Sequence, residues 1–146
     1  LGADVPVFVA GHSAWAEGIG EVLTPVALPD TWYLVLKPRC AVPTAEIFSD
    51  RELTRDSLPI TMAAFFQGVH RNDCQPVVVA RYPETGDALD WLGQFAEPRL
   101  TGTGSCVFAA FGTREQALAV QQQVPEPWAA FVARAANESP ALRALA

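Results

Sequence analysis

The segment LTGTGSCVFAAF, residues 100–111, constrains the fold more than any other stretch of the chain. Two glycines, Gly102 and Gly104, stand one residue apart and interrupt an otherwise apolar run. Glycine adopts the left-handed backbone conformations that tight turns need, so the pattern predicts two strands joined by a turn. The same glycines would let successive N–H groups converge on an anion such as a phosphate. Both interpretations stay open here, because the residues around Ser105 match neither a Walker loop, a dinucleotide fingerprint nor a nucleophile elbow.

The composition restricts the classes of protein that the chain can represent. Its 146 residues are 50% hydrophobic, which is enough for a globular domain with a core. The net charge of −6 argues against a primary role in nucleic-acid binding, although it does not exclude a phosphorylated substrate. The apolar runs are too short to span a bilayer and no signal peptide is visible, so we expect a cytoplasmic protein without a membrane partner. The three widely spaced cysteines predict reduced thiols rather than disulfides or a zinc site.

Apolar runs elsewhere predict the other strands. The clearest strand is TWYLVLKP at 31–38, and RLTG before the glycines and CVFAAF after them could both pair with it. AAFVARAAN at 129–137 is a further candidate. Near the start of the chain, VPVFVA at 5–10 and SAWAEG at 13–18 predict a hairpin, followed by an extended run at 20–29.

Helical patterns lie between these strands. Thr113, followed three residues later by Gln116, predicts a capping box, and Asn72 or Asp73 is a candidate helix cap. The predicted helices are PTAEIFSD (43–50), TMAAFFQGV (61–69), NDCQPVVVARYP (72–83), TGDALDWLGQFA (85–96) and TREQALAVQQQV (113–124). The order of elements predicts an α+β fold of ferredoxin-like kind, in which an antiparallel sheet carries its helices on one face.

Few residues have an evident chemical role when they are considered singly. Asp4 could accept a proton from an attacking hydroxyl, and it could equally be a turn or cap aspartate. His12 and His70 lack the spacing of a metal or catalytic pair, so they are interpreted as turn or surface residues. Phe48 on a short helix would usually be a core aromatic. The sequence predicts no metal site.

Taken together and in order, several segments resemble one family. These are LGADVPVFVAGHSAWAEGIGEVLTPV, PTAEIF, ND, LTGTGSCVFAAF and a terminal NESP. They resemble the carboxy-terminal half of the GHMP kinases, specifically the kinases that act on 4-diphosphocytidyl-2-C-methyl-D-erythritol. The resemblance covers essentially the whole chain and is looser between residues 49 and 97.

The resemblance implies an activity. Kinases of this group transfer the γ-phosphoryl group of ATP, with Mg²⁺, to the 2-hydroxyl of the cytidine-diphosphate-linked methylerythritol. This reaction belongs to the non-mevalonate route to isoprenoid precursors. The implied partners of the chain are therefore ATP and this small-molecule substrate.

The resemblance also implies roles for particular residues. Asp4 stands where the family has the catalytic aspartate that activates the hydroxyl. The loop Gly102, Thr103, Gly104 and Ser105 corresponds to the glycine turn beside the phosphates. Thr44 and Phe48 correspond to the wall that holds the substrate, with the Phe48 ring against cytosine. Ile19 falls where the family contacts the methylerythritol.

The family pattern also predicts how the chain is organised. Residues 1–29 would be short strands belonging to an amino-terminal lobe, and residues 30–146 would be the carboxy-terminal domain. The family's main phosphate loop and its catalytic lysine would precede Leu1, so we expect the chain alone to be inactive and Mg²⁺ to be held mainly by the other half. Exposed strand edges would favour association between chains.

Two other interpretations stay open. Another GHMP kinase would act on homoserine, mevalonate or a sugar, although an aromatic residue at Phe48 fits a cytidine substrate better. A stand-alone ferredoxin-like module would bind a small ligand without turnover.

Overall fold

The computed structural model describes residues 2–145. They form two compact units, one of residues 31–133 and one of residues 2–30 together with 134–145. The sequence placed 134–145 with the carboxy-terminal domain, and that domain assignment stays a prediction. Among residues 2–145, no helix combines the length and the apolar character needed to cross a membrane.

The unit of residues 31–133 is built on a four-stranded sheet in the order β4–β5–β3–β6. Its strands are β3 (Trp32–Lys37), β4 (Pro98–Leu100), β5 (Val107–Phe111) and β6 (Ala129–Arg134). β5 pairs antiparallel with both β3 and β4, with Leu34 opposite Ala109 and Leu100 opposite Val107. All four strands were predicted. The pairing expected between β4 and β3 was wrong, because β5 lies between them.

Five helices of this unit follow the predicted segments. They are α2 (Thr44–Ser49), α3 (Met62–Phe66), α4 (Cys74–Arg81), α5 (Pro83–Leu92) and α6 (Arg114–Gln121). The capping box of α6 is present, since the Thr113 side chain accepts from the Gln116 amide while the Gln116 side chain accepts from the Thr113 amide.

The core of this unit lies between the sheet and helices α2, α4, α5 and α6. Alternate residues of β3 and β5 are buried, among them Leu34, Leu36 and Val107. This alternation gives the sheet one buried face, which packs against apolar helix residues that include Ile47, Val77, Val78, Ala88, Leu89, Leu92, Ala117 and Val120. The α+β prediction is therefore confirmed for this part of the chain.

The second unit holds α1 (Val5–Ala10), the hairpin of β1 (Ala14–Glu17) and β2 (Val22–Pro25), and α7 (Pro140–Leu145). The prediction of a strand at 5–10 was wrong, and the hairpin is formed by β1 and β2 instead. A six-residue apolar run does not distinguish a strand from a helix by period alone. Here a proline in the first turn favours the helix, and Gly11 ends it in a left-handed conformation with φ 68°.

The carboxy-terminal segment is tied to this unit through Asn137. Its side chain accepts from the Leu28 amide at 2.8 Å and donates to the Leu28 carbonyl at 2.8 Å. The Ser13 amide donates to the Asn137 carbonyl at 2.9 Å, and the Ser139 amide donates to the Gly11 carbonyl at 2.7 Å. These bonds explain why residues 134–145 group with the start of the chain.

Candidate functional site

The glycine loop joins β4 to β5, so its role as a strand connection is confirmed. The Thr101 amide donates to the Cys106 carbonyl at 3.1 Å, and the Gly104 amide donates to the Thr101 carbonyl at 2.8 Å. Gly102 and Gly104 have positive φ values of 53° and 81°. Residues other than glycine are strained at positive φ, which accounts for the two glycines.

The loop also contains backbone amides that make no hydrogen bond within the described part of the chain. Gly102 is exposed and Thr103 is half-buried, and the amides of both make no hydrogen bond to any residue in the range 2–145. Unpaired amide N–H groups on a glycine turn can donate hydrogen bonds to an anion. Anion binding by the loop stays a prediction.

Thr103 connects this loop to helix α2. Its hydroxyl lies 2.9 Å from the hydroxyl of Thr44, the first residue of the helix. Phe48 follows Thr44 by four residues, so the two side chains share one helix face. The Phe48 side chain is 54% exposed and is therefore not a core aromatic. The structure brings together Thr44, Phe48 and the glycine loop.

Hydrogen bonds and ion pairs to Glu46, Asp50 and the Phe48 carbonyl hold helix α2 in place. Arg81 forms an ion pair with Asp50 and a second one with Glu46 at 3.2 Å, and the Tyr82 hydroxyl donates to Glu46 at 3.1 Å. The Asp50 carboxyl is buried, and the Glu52 amide together with Arg81 holds the pKa of this group below its usual value. Arg55 donates to the Phe48 carbonyl at 2.7 Å, which fixes the backbone that carries the exposed ring.

Asn72 fixes the other side of the glycine loop. Its side-chain amide donates to the Gly102 carbonyl at 2.8 Å and to the Leu100 carbonyl at 3.2 Å. Its side-chain oxygen accepts from the amide of Cys74, the first residue of α4, at 3.0 Å, whereas Asp73 stands at the cap position and its side chain caps no amide. The sequence did not predict the contact with the loop, although the ND pair was among the segments that carried the resemblance.

Ser105 differs from the other loop residues. Its side chain is buried, and its hydroxyl donates to the Cys40 carbonyl at 2.7 Å. A hydroxyl has a single hydrogen to donate, so this side chain does not offer that hydrogen to a phosphate. The role of Ser105 in nucleotide binding stays a prediction, now restricted to other atoms of the residue.

Asp4 and Ile19 belong to the unit of residues 2–30 and 134–145. Asp4 is exposed immediately before α1, and its carboxylate caps no amide of that helix. Ile19 is 81% exposed in the β1–β2 turn. A side chain at the neighbouring Gly20 would clash with the Ala3 carbonyl oxygen, so this turn lies against the residue before Asp4.

The two histidines show no sign of a metal site. Within residues 2–145, no group of three or more His, Cys, Asp or Glu side chains could hold a metal ion. His70 was predicted as a turn or surface residue, yet it is half-buried with its ring 4.8 Å from that of Phe65. Burial lowers the pKa of His70, which favours the neutral ring.

Comparison with known proteins identifies the family to which the sequence is similar. Residues 59–130 match the family described as GHMP kinases C terminal. A 4-diphosphocytidyl-2-C-methyl-D-erythritol kinase of Thiobacillus denitrificans is 53% identical over 140 residues, which are 96% of this chain and 50% of that protein. This chain belongs to the GHMP kinases. The kinase of the same name from Pseudomonas entomophila is 56% identical over 139 residues, covering 95% of the chain and 49% of that protein.

A solved structure of the same family supports the fold. The crystal structure of a 4-(cytidine 5'-diphospho)-2C-methyl-D-erythritol kinase matches this GHMP kinase chain with a TM-score of 0.75 at 25% identity. The match covers 91% of the chain and 53% of that structure. The chain spans about half the length of the curated relatives it matches.

Proposed function

We propose that this chain supplies the carboxy-terminal half of a kinase that phosphorylates 4-diphosphocytidyl-2-C-methyl-D-erythritol. The phosphoryl donor is ATP, the acceptor is the 2-hydroxyl, and the product enters the non-mevalonate route to isoprenoids. The contact between Thr44 and Thr103 is the observation that carries this proposal. It puts the helix with the exposed Phe48 ring beside a glycine loop that has unpaired amides.

Each candidate residue then has a part in positioning or proton transfer in the whole kinase. The Gly102 and Thr103 amides contact phosphate oxygens, where fixed backbone dipoles offset negative charge. The Phe48 ring stacks on the cytosine, and Thr44 borders the same pocket wall. Asp4 accepts the proton of the attacking hydroxyl, and Ile19 contacts the methylerythritol. Mg²⁺ would neutralise charge on the phosphates when bound, held mainly by residues of the amino-terminal half of such a kinase.

The test uses the chain together with the amino-terminal half of the Thiobacillus denitrificans relative, either mixed or joined as one polypeptide. We expect ATP-dependent phosphorylation of the cytidine-diphosphate substrate by the combination and none by the chain alone. An Asp4→Asn change should lower kcat by about 10²- to 10⁴-fold, the usual contribution of a general base. Asp87→Asn, an exposed aspartate on α5, is the control and should leave kcat unchanged. Turnover by the chain alone, or full activity with Asp4→Asn, would contradict the proposal.

A second candidate keeps the family and changes the substrate to homoserine, mevalonate or a sugar. The exposed ring of Phe48 favours the cytidine substrate, since the rival substrates carry no base to stack on it. Competition by cytidine diphosphate in the kinase assay separates the two candidates. A stand-alone ligand-binding module would give no phosphorylation in any combination.

A further inference from the structure

The main chain of Cys40 is held on both sides in the connection between β3 and α2. Its amide donates to one carboxylate oxygen of Glu84 at 3.0 Å, and the neighbouring Arg39 amide donates to the other at 2.9 Å. The Cys40 carbonyl accepts from the Ser105 hydroxyl at 2.7 Å. One short connection is therefore bonded to helix α5 and to the glycine loop at the same residue.

Glu84 is the point at which these contacts converge. It lies half-buried in the first turn of α5 and accepts a third bond, from the Trp128 indole N–H at 3.1 Å. The donor amide of Arg39 is the first reason that the pKa of Glu84 lies below its usual value. Three donors on one carboxylate hold it ionised and fix its orientation, because an ionised carboxylate only accepts.

Two hydrogen bonds join the glycine loop to the segment 40–44, and the one at Ser105 is buried whereas the one at Thr103 is exposed. Thr44 and Thr103 meet through hydroxyls at the surface, where water competes for the same hydrogen bond. The Ser105 hydroxyl is buried, and its partner Cys40 is separated from it by 65 positions in the chain. The distance between the loop and α2 is consequently set at Cys40 more firmly than at Thr44.

We propose that Glu84 is a positioning residue that sets the spacing between the glycine loop and helix α2 through the main chain of Cys40. Ser105 is its counterpart on the loop and acts through the same carbonyl. The proposal rests on the proposed function for the roles of Thr44, Phe48 and the loop. Glu84 itself contacts neither the substrate nor the phosphates.

The first test is an NMR comparison of backbone amides in the chain. Glu84→Gln replaces the carboxylate by an amide that accepts through one oxygen only, so the Arg39 and Cys40 bonds cannot both persist. We expect shifted signals at residues 39, 40, 44 and 102–105, with amide exchange at Cys40 faster by about tenfold, the loss of one bond to a charged group. Glu115→Gln is the matched control, because Glu115 is also the second residue of a helix and is exposed. It should leave those signals in place.

Shifts confined to residues 39, 40 and 128, with Thr44 and the loop unchanged, would overturn the proposal. Glu84→Asp keeps the charge and shortens the side chain, so it provides a smaller displacement if Glu84→Gln does not fold. Ser105→Ala should move the Thr44 signal in the same direction as Glu84→Gln. An unchanged Thr44 signal in both Glu84→Asp and Ser105→Ala would also overturn it.

The second test is kinetic and uses the active combination with the amino-terminal half. Misplacement of the substrate wall should raise KM for the cytidine-diphosphate substrate about tenfold in Glu84→Gln, again the loss of one charged hydrogen bond. A loss of folded enzyme would instead lower kcat with KM unchanged, and that result would count against positioning. Inactivity of the wild-type combination would refute the proposed function, while the NMR comparison would still decide the role of Glu84.

Discussion

Phe48 stands on a helix whose backbone is fixed although its ring is exposed. Arg55 holds the Phe48 carbonyl, and Arg81 ties the same helix to α4 through Asp50 and Glu46. A backbone held in this way does not have to be ordered when a planar ligand stacks on the ring, so binding costs less conformational entropy.

Replacing Phe48 by alanine should therefore weaken binding of cytidine diphosphate to the active combination. Stacking of a base on an aromatic side chain contributes about 1–3 kcal/mol, which predicts a rise in Kd of roughly 5- to 150-fold by isothermal titration calorimetry. Phe48→Tyr keeps the ring and should retain most of the affinity. Phe66→Ala is the matched control, because Phe66 on α3 is 50% exposed against 54% for Phe48. Equal losses at the two positions would argue against stacking at Phe48.

At the scale of an element, the two glycines of the loop between β4 and β5 are required for different reasons. Gly102 and Gly104 share a positive φ, yet their surroundings differ. A side chain at Gly102 would meet no atom within 4 Å, whereas one at Gly104 would lie 3.0 Å from Leu100 and 3.4 Å from Val78. Gly102 is needed for backbone conformation alone, and Gly104 is needed for conformation and for close packing against the core.

We therefore expect Gly104→Ala to destabilise the chain more than Gly102→Ala. Both changes incur the left-handed strain of about 1–2 kcal/mol, and overpacking adds about 1–3 kcal/mol at Gly104 only. Urea denaturation of the two variants measures this difference in the free energy of unfolding. Equal values would mean that Leu100 and Val78 yield to the added methyl group.

At the scale of the whole molecule, the buried carboxylate of Asp50 and its ion pair with Arg81 link stability to pH. The pKa of Asp50 lies below its usual value, since the Glu52 amide and then Arg81 favour its ionised form. A carboxyl whose pKa is lowered on folding stabilises the fold above its unfolded pKa. That stabilisation is lost as the pH falls through the lower folded value.

Thermal unfolding should accordingly show a Tm that falls below about pH 4, because there the Asp50 carboxyl takes up a proton in the unfolded chain before it does so in the folded one. Asp50→Asn should lower Tm near neutral pH and make the remaining acid dependence shallower. Asp73→Asn is the control, because Asp73 forms an ion pair with Arg71 at 2.9 Å and its side chain is 32% exposed against 3% for Asp50. If Asp50→Asn leaves the pH dependence of Tm unchanged, other carboxylates cause that dependence.

The sequence by itself determined those helices, strands and turns that carry a strong local signal. The alternating apolar residues of β3 and β5, the glycine turn between β4 and β5, and the capping box at Thr113 all follow from sterics and hydrogen bonds over a few residues. The family resemblance added Asp4, Ile19, Thr44 and Phe48 as candidates. None of these local signals shows which side chains lie near one another.

Tertiary structure decided the features that depend on distant residues. The run at 5–10 became a helix, and β4 lies beside β5 rather than β3. The partner of Ser105 is a carbonyl 65 residues away, and the partners of Glu84 lie 44 and 45 residues away. Such contacts are set by the packing of the whole unit, because a buried polar group bonds to whichever donor or acceptor the fold brings within reach.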